Sequence, residues 1–405
     1  MVLVGGLQAG ENWPAYRGPQ GDGLANAKNL PEKWSETENV LWKTEIPHKG
    51  WSSPVRWNDQ IWCTGATDDG KKLYAYCLNL ADGKIVHEIL VFEVKEPQKL
   101  SNPVNGYASP TPVIEEGLVY VHFGSPGTAC LDTKTGKKIW ERTDFVCNHF
   151  RGSGSSPILY DKMLLLTFDG FDKQYLAALD KTTGKTIWIR DRNFHAPEDN
   201  GDYKKAYSTP SVFKMDGKEI VVSSSAGASA AYDLATGQEV WRVKHGGMNV
   251  ASRPITKGDK IYLTTGDGGK NAIYAVKKGG TGDVTSTHVA WTGKANPKYG
   301  SLTLIGDYIF LVSNDVATLL DAETGKELSK ERLGGKFYSS PVVGDGKIFV
   351  FNEDGIGFVL KIEEGKITIV QQNKLASGCM ASPIVVEDTL VVRTKTHLYR
   401  IGLKK

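Results

Sequence analysis

The densest group of residues able to do chemistry is Asn148-His149-Phe150-Arg151-Gly152-Ser153-Gly154. An imidazole such as His149 can act as a general base or a metal ligand, and the planar guanidinium of Arg151 can grip a carboxylate or phosphate through two parallel hydrogen bonds. Arg151 can equally bond carbonyls of a neighbouring element. Further on, Phe168-Asp169-Gly170-Phe171-Asp172 brings two carboxylates that could pair with Arg151 or bind Ca²⁺, although an Asp-Gly turn needs no such role. Trp51, Tyr107, Tyr207, Tyr299, Phe337 and Tyr338 suit stacking on a sugar ring or planar cofactor, and suit equally the plugging of a channel. Lys204, Lys205, His245, Asn249 and Arg253 add positive character that points to an anionic ligand, whereas His122 and His397 read as polar residues at strand edges. No nucleophile elbow, phosphate loop or metal-binding helix motif occurs, and Gly266-Asp267-Gly268-Gly269 opens no helix.

These residues sit within a repeat. Ser52-Ser53-Pro54, Ser155-Ser156-Pro157, Ser208-Thr209-Pro210, Ser339-Ser340-Pro341 and Ala381-Ser382-Pro383 are copies of one phrase, with variants at Pro112, Ser252-Arg253-Pro254 and Ser301-Leu302-Thr303. The eight copies lie 47 residues apart on average. A second phrase follows within the units, as in Asp180…Thr183-Gly184-Lys185…Trp188 and Asp233…Thr236-Gly237-Gln238…Trp241. Glycine supplies the positive φ of a tight turn, and Asp and Thr satisfy its backbone groups. Four short strands in about 47 residues are the signature of a propeller blade. The predicted fold is therefore all-β: an eight-bladed β-propeller of four-stranded antiparallel blades. Trp140, Trp188, Trp241 and Trp291 are read as wedges between blades. The last unit lacks a fourth strand, and residues 39–46 supply it, closing the ring and removing an exposed edge. The expected division is an N-terminal arm over 1–38 and a propeller over 39–405. The long connections at 93–107 and 190–207 would stand at the channel mouth, as a lid or binding wall.

Composition agrees with this reading. The 405 residues carry 45 Gly and 10 Trp, and the net charge of +3 offers no field for nucleic acid. No apolar run is long enough to span a membrane. The apolar stretch Val2–Leu7 and the small residues around Ala9, with no Lys or Arg, fit either the stump of a signal peptide or a disordered terminus. Five cysteines with no CxxC spacing form no zinc or thioredoxin motif. Cys63 and Cys77 could face one another across a hairpin near Gly70, or all five could be buried thiols.

The phrase from Ala178 to Trp188 closely resembles the tryptophan-docking motif of the pyrroloquinoline-quinone (PQQ) propeller superfamily, and Ala231–Trp241 and Cys130–Trp140 match it too. The resemblance spans residues 39–402. Trp13-Pro14-Ala15-Tyr16-Arg17-Gly18-Pro19 and residues 148–157 also look like a group of secreted PQQ-like repeat proteins. It implies an extracytoplasmic protein, periplasmic or secreted, in a superfamily holding both quinoprotein dehydrogenases and non-enzymatic propellers such as the BamB-like barrel-assembly lipoprotein. The dehydrogenases pair adjacent cysteines above the quinone and hold Ca²⁺ with Glu, Asn and Asp; no two cysteines here are adjacent. The leading expectation is a monomeric scaffold that binds a small molecule or protein on its funnel face without catalysis. The expected contacts are Trp51, Tyr107, His149, Arg151, Asp169, Asp172, Lys204, Tyr207, Asn249, Arg253 and Tyr338. The alternative is a PQQ- and calcium-dependent dehydrogenase of alcohols or sugars, with Asp169 or Asp172 nearest to a base.

Overall fold

The recurring Asp-x-x-Thr-Gly phrase folds as a self-satisfied turn. Asp180 Oδ1 accepts hydrogen bonds from the Thr183 amide and the Thr183 hydroxyl, both at 2.8 Å, and Gly184 takes φ of +69°. Asp132, Asp233 and Asp321 repeat the arrangement. The turn also receives the preceding blade. Trp188 donates from Nε1 to the Leu234 carbonyl at 2.9 Å, and a β-carbon on Gly237 would lie 2.7 Å from its ring. Gly237 is therefore required twice, by its backbone conformation and by the indole lying on it. Trp140 on Gly184 and Trp291 on Gly325 dock in the same way. Trp241 departs from the pattern. The next blade lacks the Thr-Gly turn, and Gly282–Asp283 instead pairs parallel to Trp241–Arg242 as a short fifth strand. The indole is buried, with no partner for Nε1 among the described residues.

A computed structural model describes residues 11–101, 104–192, 194, 200–269 and 272–404. The suggested signal-peptide remnant at 1–9 lies outside the described residues. Within those residues the strands form eight sheets, each with at least four strands. Seven blades run 55–93, 113–142, 158–191, 211–244, 255–293, 303–332 and 342–374. The eighth combines Ile384–Val386, Thr389–Arg393 and His397–Ile401 with β1, Val40–Glu45, at its outer edge. β1 pairs antiparallel with the chain's last strand, Thr44 opposite Leu398. Trp42 of β1 then docks on blade 1, donating to the Leu80 carbonyl at 2.8 Å and covering Gly83. Closure thus uses the same contact as the blade-to-blade joints. The apolar core lies between blades: one cluster joins blades 1 and 2, another blades 3 and 4, and the largest spans blades 7, 8 and 1. All five cysteines are buried free thiols. Cys77 sits opposite Trp62, one position out of register with Cys63. No helix among the described residues is long and apolar enough to cross a membrane.

The Ser-Ser-Pro phrase has its own structural role. At the start of each innermost strand a backbone amide donates to the hydroxyl of the next blade: Ser53 to Thr111, Thr111 to Ser156, and Ser156 to Thr209, at 2.9–3.0 Å. The series continues from Arg253 to Ser301, then Ser340, Ser382 and back to Ser53. Arg253 interrupts it by standing where the other blades carry Ser or Thr. Its guanidinium instead bonds the Ser211 hydroxyl at 2.8 Å and the Tyr16 carbonyl at 2.9 Å.

The N-terminal residues cross the axis. Trp13 bridges to Arg56 of blade 1, and Pro14 O accepts from Ile114 N of blade 2. Tyr16 places its hydroxyl 2.8 Å from Ser340 Oγ, and Arg17 donates to Pro341 O, Leu302 O and Thr303 Oγ1. Leu24 then bridges to Val343 of blade 7.

Replacing Trp42 by Ala should cost about 3 kcal/mol or more, the usual penalty for emptying an aromatic site. Denaturant unfolding would read this, and an unchanged midpoint would mean that the ring is not held shut there. Three buried histidines, His122, His149 and His245, predict acid sensitivity. His122, beside Thr128, and His245, 3.0 Å from Ser229 Oγ, are pushed by burial down to about 3 and about 4. The unfolded chain therefore binds the extra protons as pH falls below about 6.5, and each histidine removes about 1.4 kcal/mol per pH unit until its folded value is reached. Stability should drop between pH 7 and 5, and His122→Gln with His245→Gln should flatten that slope. Equal slopes in wild type and double variant would refute it.

Candidate functional site

At the starts of the innermost strands the ring opens into a cavity of about 340 Å³, within the range for a small ligand. Its lining includes hydroxyls of the amide–hydroxyl series, Ser53, Thr111, Ser156, Thr209 and Ser382. Tyr16 of the N-terminal segment also lines it, its hydroxyl 2.8 Å from Ser340 Oγ. Of the residues expected from sequence, Trp51, Arg151, Tyr207, Asn249 and Tyr338 line this cavity.

Each is held from behind. Tyr207 lies against Gly154, where a β-carbon would come within 2.8 Å of the phenol ring, and Lys205 Nζ sits 4.7 Å from the ring centre. Tyr338 stands beside Tyr299, their centroids 4.6 Å apart and their planes tilted by 37°. Trp51 rests on Gly106. Arg151 is paired with Asp202 at 2.7 Å, both part-buried. Asp202 belongs to the 3₁₀ turn Gly201–Lys204, capped by Asn200. On the opposite wall Lys298 faces Asp267 at 3.5 Å. Trp51 Nε1, Arg151 Nε and Asn249 Oδ1 lack a hydrogen-bond partner among the described residues.

The other expected residues are placed elsewhere. Tyr107 covers Gly70, beside the core of blades 1 and 2. Asp169 does not meet Arg151: it accepts two bonds from Arg192, at 2.7 and 3.0 Å, and both side chains are almost wholly buried. Asp172 accepts from the Asn148 and Lys173 amides and shapes the loop. Lys204 lies on the 3₁₀ turn outside the lining, and Arg253 is committed to Ser211 and Tyr16. Of the cations expected at the mouth, Arg253 is turned into the wall and Lys204 lies outside the lining.

His149 is buried and takes no place in the lining. Its Nε2 accepts from the Ser125 amide at 3.1 Å, and its Nδ1 lies 3.4 Å from Lys205 Nζ. Burial drives His149 well below its ordinary pKa and brings Lys205 down to about 8. Lys205 also donates to the Asp169 carbonyl at 2.8 Å. Cys147, 3.5 Å from His149 Nε2, is pushed up to about 12 by burial, so it is a protonated thiol rather than a nucleophile. Together with Asp169 and Arg192 these groups tie blades 2, 3 and 4 behind the mouth. Sequence reasoning missed Tyr16, Asp267 and Lys298 as lining residues; only the position of Lys298 next to Tyr299 hinted at one of them.

The donors do not fit calcium. Ca²⁺ takes ~6–8 oxygens, commonly with several carboxylates. No group of three potential metal ligands exists among the described residues, and the only lining carboxylate among them, Asp267, already faces Lys298. The acid groups of PQQ would meet only Arg151 and Lys298, each already neutralised.

Comparison with known proteins follows the architecture. An outer membrane protein assembly factor BamB of Shewanella oneidensis is 24% identical over 280 residues, covering 66% of this chain and 64% of that protein. The chain spans between 52% and 64% of the length of the first curated relatives it matches. Among solved structures, a europium-containing methanol dehydrogenase superposes with a TM-score of 0.76 at 12% identity, covering 97% of this chain and 98% of that one. BamB from Moraxella catarrhalis superposes with a TM-score of 0.63 at 15% identity, covering 90% and 97%. At such identities the two structures share the fold alone. The PQQ_2 family model, described as outer membrane protein assembly factor BamB, matches residues 32–144 and 283–404. With more than half of its length matched, including Trp42, Trp140, Trp291 and the closing strand, the chain belongs to that PQQ-repeat propeller family.

Proposed function

We propose that the chain is an extracytoplasmic binding scaffold that takes a small ligand in its funnel mouth and carries out no chemistry of its own. The observation that carries this reading is the aromatic-walled cavity, whose charged groups are spent on one another. A catalytic site would hold a group with its reactivity raised and aimed at the ligand. Here the candidate base His149 and the thiol Cys147 are directed into the wall, and Asp169 is locked to Arg192. Among its relatives, the outer membrane assembly factors support an extracytoplasmic place and a binding role, which a monomeric ring can serve, while a tetrathionate hydrolase and quinoprotein dehydrogenases are also similar to the chain. The quinoprotein alternative loses its support with the calcium donors.

Native mass spectrometry of the purified chain should detect a small molecule retained by the wild type. Arg151→Ala and Tyr207→Ala should lose it while each variant stays folded, with a cooperative unfolding transition. Dye reduction with added PQQ and Ca²⁺, abolished by Arg151→Ala, would overturn the non-catalytic reading.

A further inference from the structure

Resting on the reading of the mouth as a ligand site, we propose that the ligand is a neutral saccharide. Charge is the first argument. The two cations of the lining each face a carboxylate, Arg151 with Asp202 and Lys298 with Asp267, so the cavity offers no net field to an anion. An anionic ligand would meet cations whose charge a carboxylate already offsets. An uncharged polyol need not: each pair sets N–H donors beside carboxylate acceptors, and each sugar hydroxyl is both donor and acceptor.

The floor is the second argument. Thr111, Ser156 and Thr209 use their oxygens to accept a neighbouring blade's amide. Each hydroxyl therefore still has its hydrogen to give, and the floor is a row of O–H donors fixed by backbone. The walls are the third. Trp51, Tyr207, Tyr299 and Tyr338 give flat apolar faces with polar edges, as a pyranose has an apolar C–H face and a polar rim. Tyr207 is held in place by Gly154 on one side and Lys205 beneath. A volume of about 340 Å³ suits one or two such rings.

The test is isothermal titration of the full chain with glucose, galactose, cellobiose, maltose and N,N′-diacetylchitobiose, alongside glucuronate and PQQ. At least one neutral sugar should bind, with affinity unchanged by added salt because no net charge is engaged. Trp51→Ala and Tyr207→Ala should each weaken that binding tenfold or more, whereas Lys137→Ala, on an exposed turn, should not. Binding of glucuronate or PQQ without any neutral sugar would overturn the saccharide assignment and leave the mouth as a ligand site. Failure of every compound with a folded protein would overturn it too, and the mouth would then stand or fall on the native mass spectrometry. Sugar binding that survives both aromatic substitutions would place the saccharide outside this cavity and equally refute the proposal.

Discussion

A four-stranded sheet with two apolar faces has to cover both, and in this molecule only the neighbouring blades can do so. Everything else follows from that demand. The indoles of Trp42, Trp140 and Trp188 reach the turn of the following blade, and their N–H groups find its carbonyls. Near the axis, where the blades converge and there is no room for large side chains, the same join is made by an amide and a hydroxyl. The outer and inner joints are thus one contact expressed at two radii: apolar and bulky outside, polar and compact inside.

The mouth inherits its chemistry from that arrangement. Its floor is polar because the inner joints use serine and threonine, and Tyr16 of the N-terminal segment joins that lining. The walls come from residues placed just before the innermost strands, where the chain passes from one blade to the next. Buried pairs and hydrogen bonds behind the wall, from Asp169–Arg192 to His149–Ser125, fix those connections without presenting charge to the cavity. Such internal ties are expensive to desolvate, and they remain tolerable because nearly every member is satisfied.

Much of the fold was legible because its repeats report local necessity. Asp180, Thr183 and Gly184 must make a turn wherever they fall, and Trp188 must find a flat glycine. Closure by residues 39–46 could be read from the missing fourth strand of the last unit. Partner choice was not legible. Asp169 could be recognised as a carboxylate near the mouth, but whether Arg151 or Arg192 would meet it depends on which face of the strand it leaves, and one residue of phase reverses that. The same shift of one separates Lys204, on the surface turn, from Lys205, buried behind Tyr207. Tyr16 went unread because nothing in a segment before the first blade says that it runs across the axis. Arg253 was read as a ligand contact, when its place in the serine–threonine series makes it the point where that series is interrupted and the N-terminal segment is gripped instead.

The closing strand has a kinetic meaning as well as a static one. β1 precedes all seven other blades in the chain, yet its partner, His397–Ile401, follows them, so the ring cannot shut until the eighth blade has been made. Until then blade 1 has one bare apolar face and Trp42 has a dock but no sheet to hold it in place. Contacts this distant in sequence form slowly, and exposed strand edges invite the wrong partner while they wait. A chain of this design spends its vulnerable period before completion and, once closed, offers no blade from which unravelling can begin without breaking two joints at once.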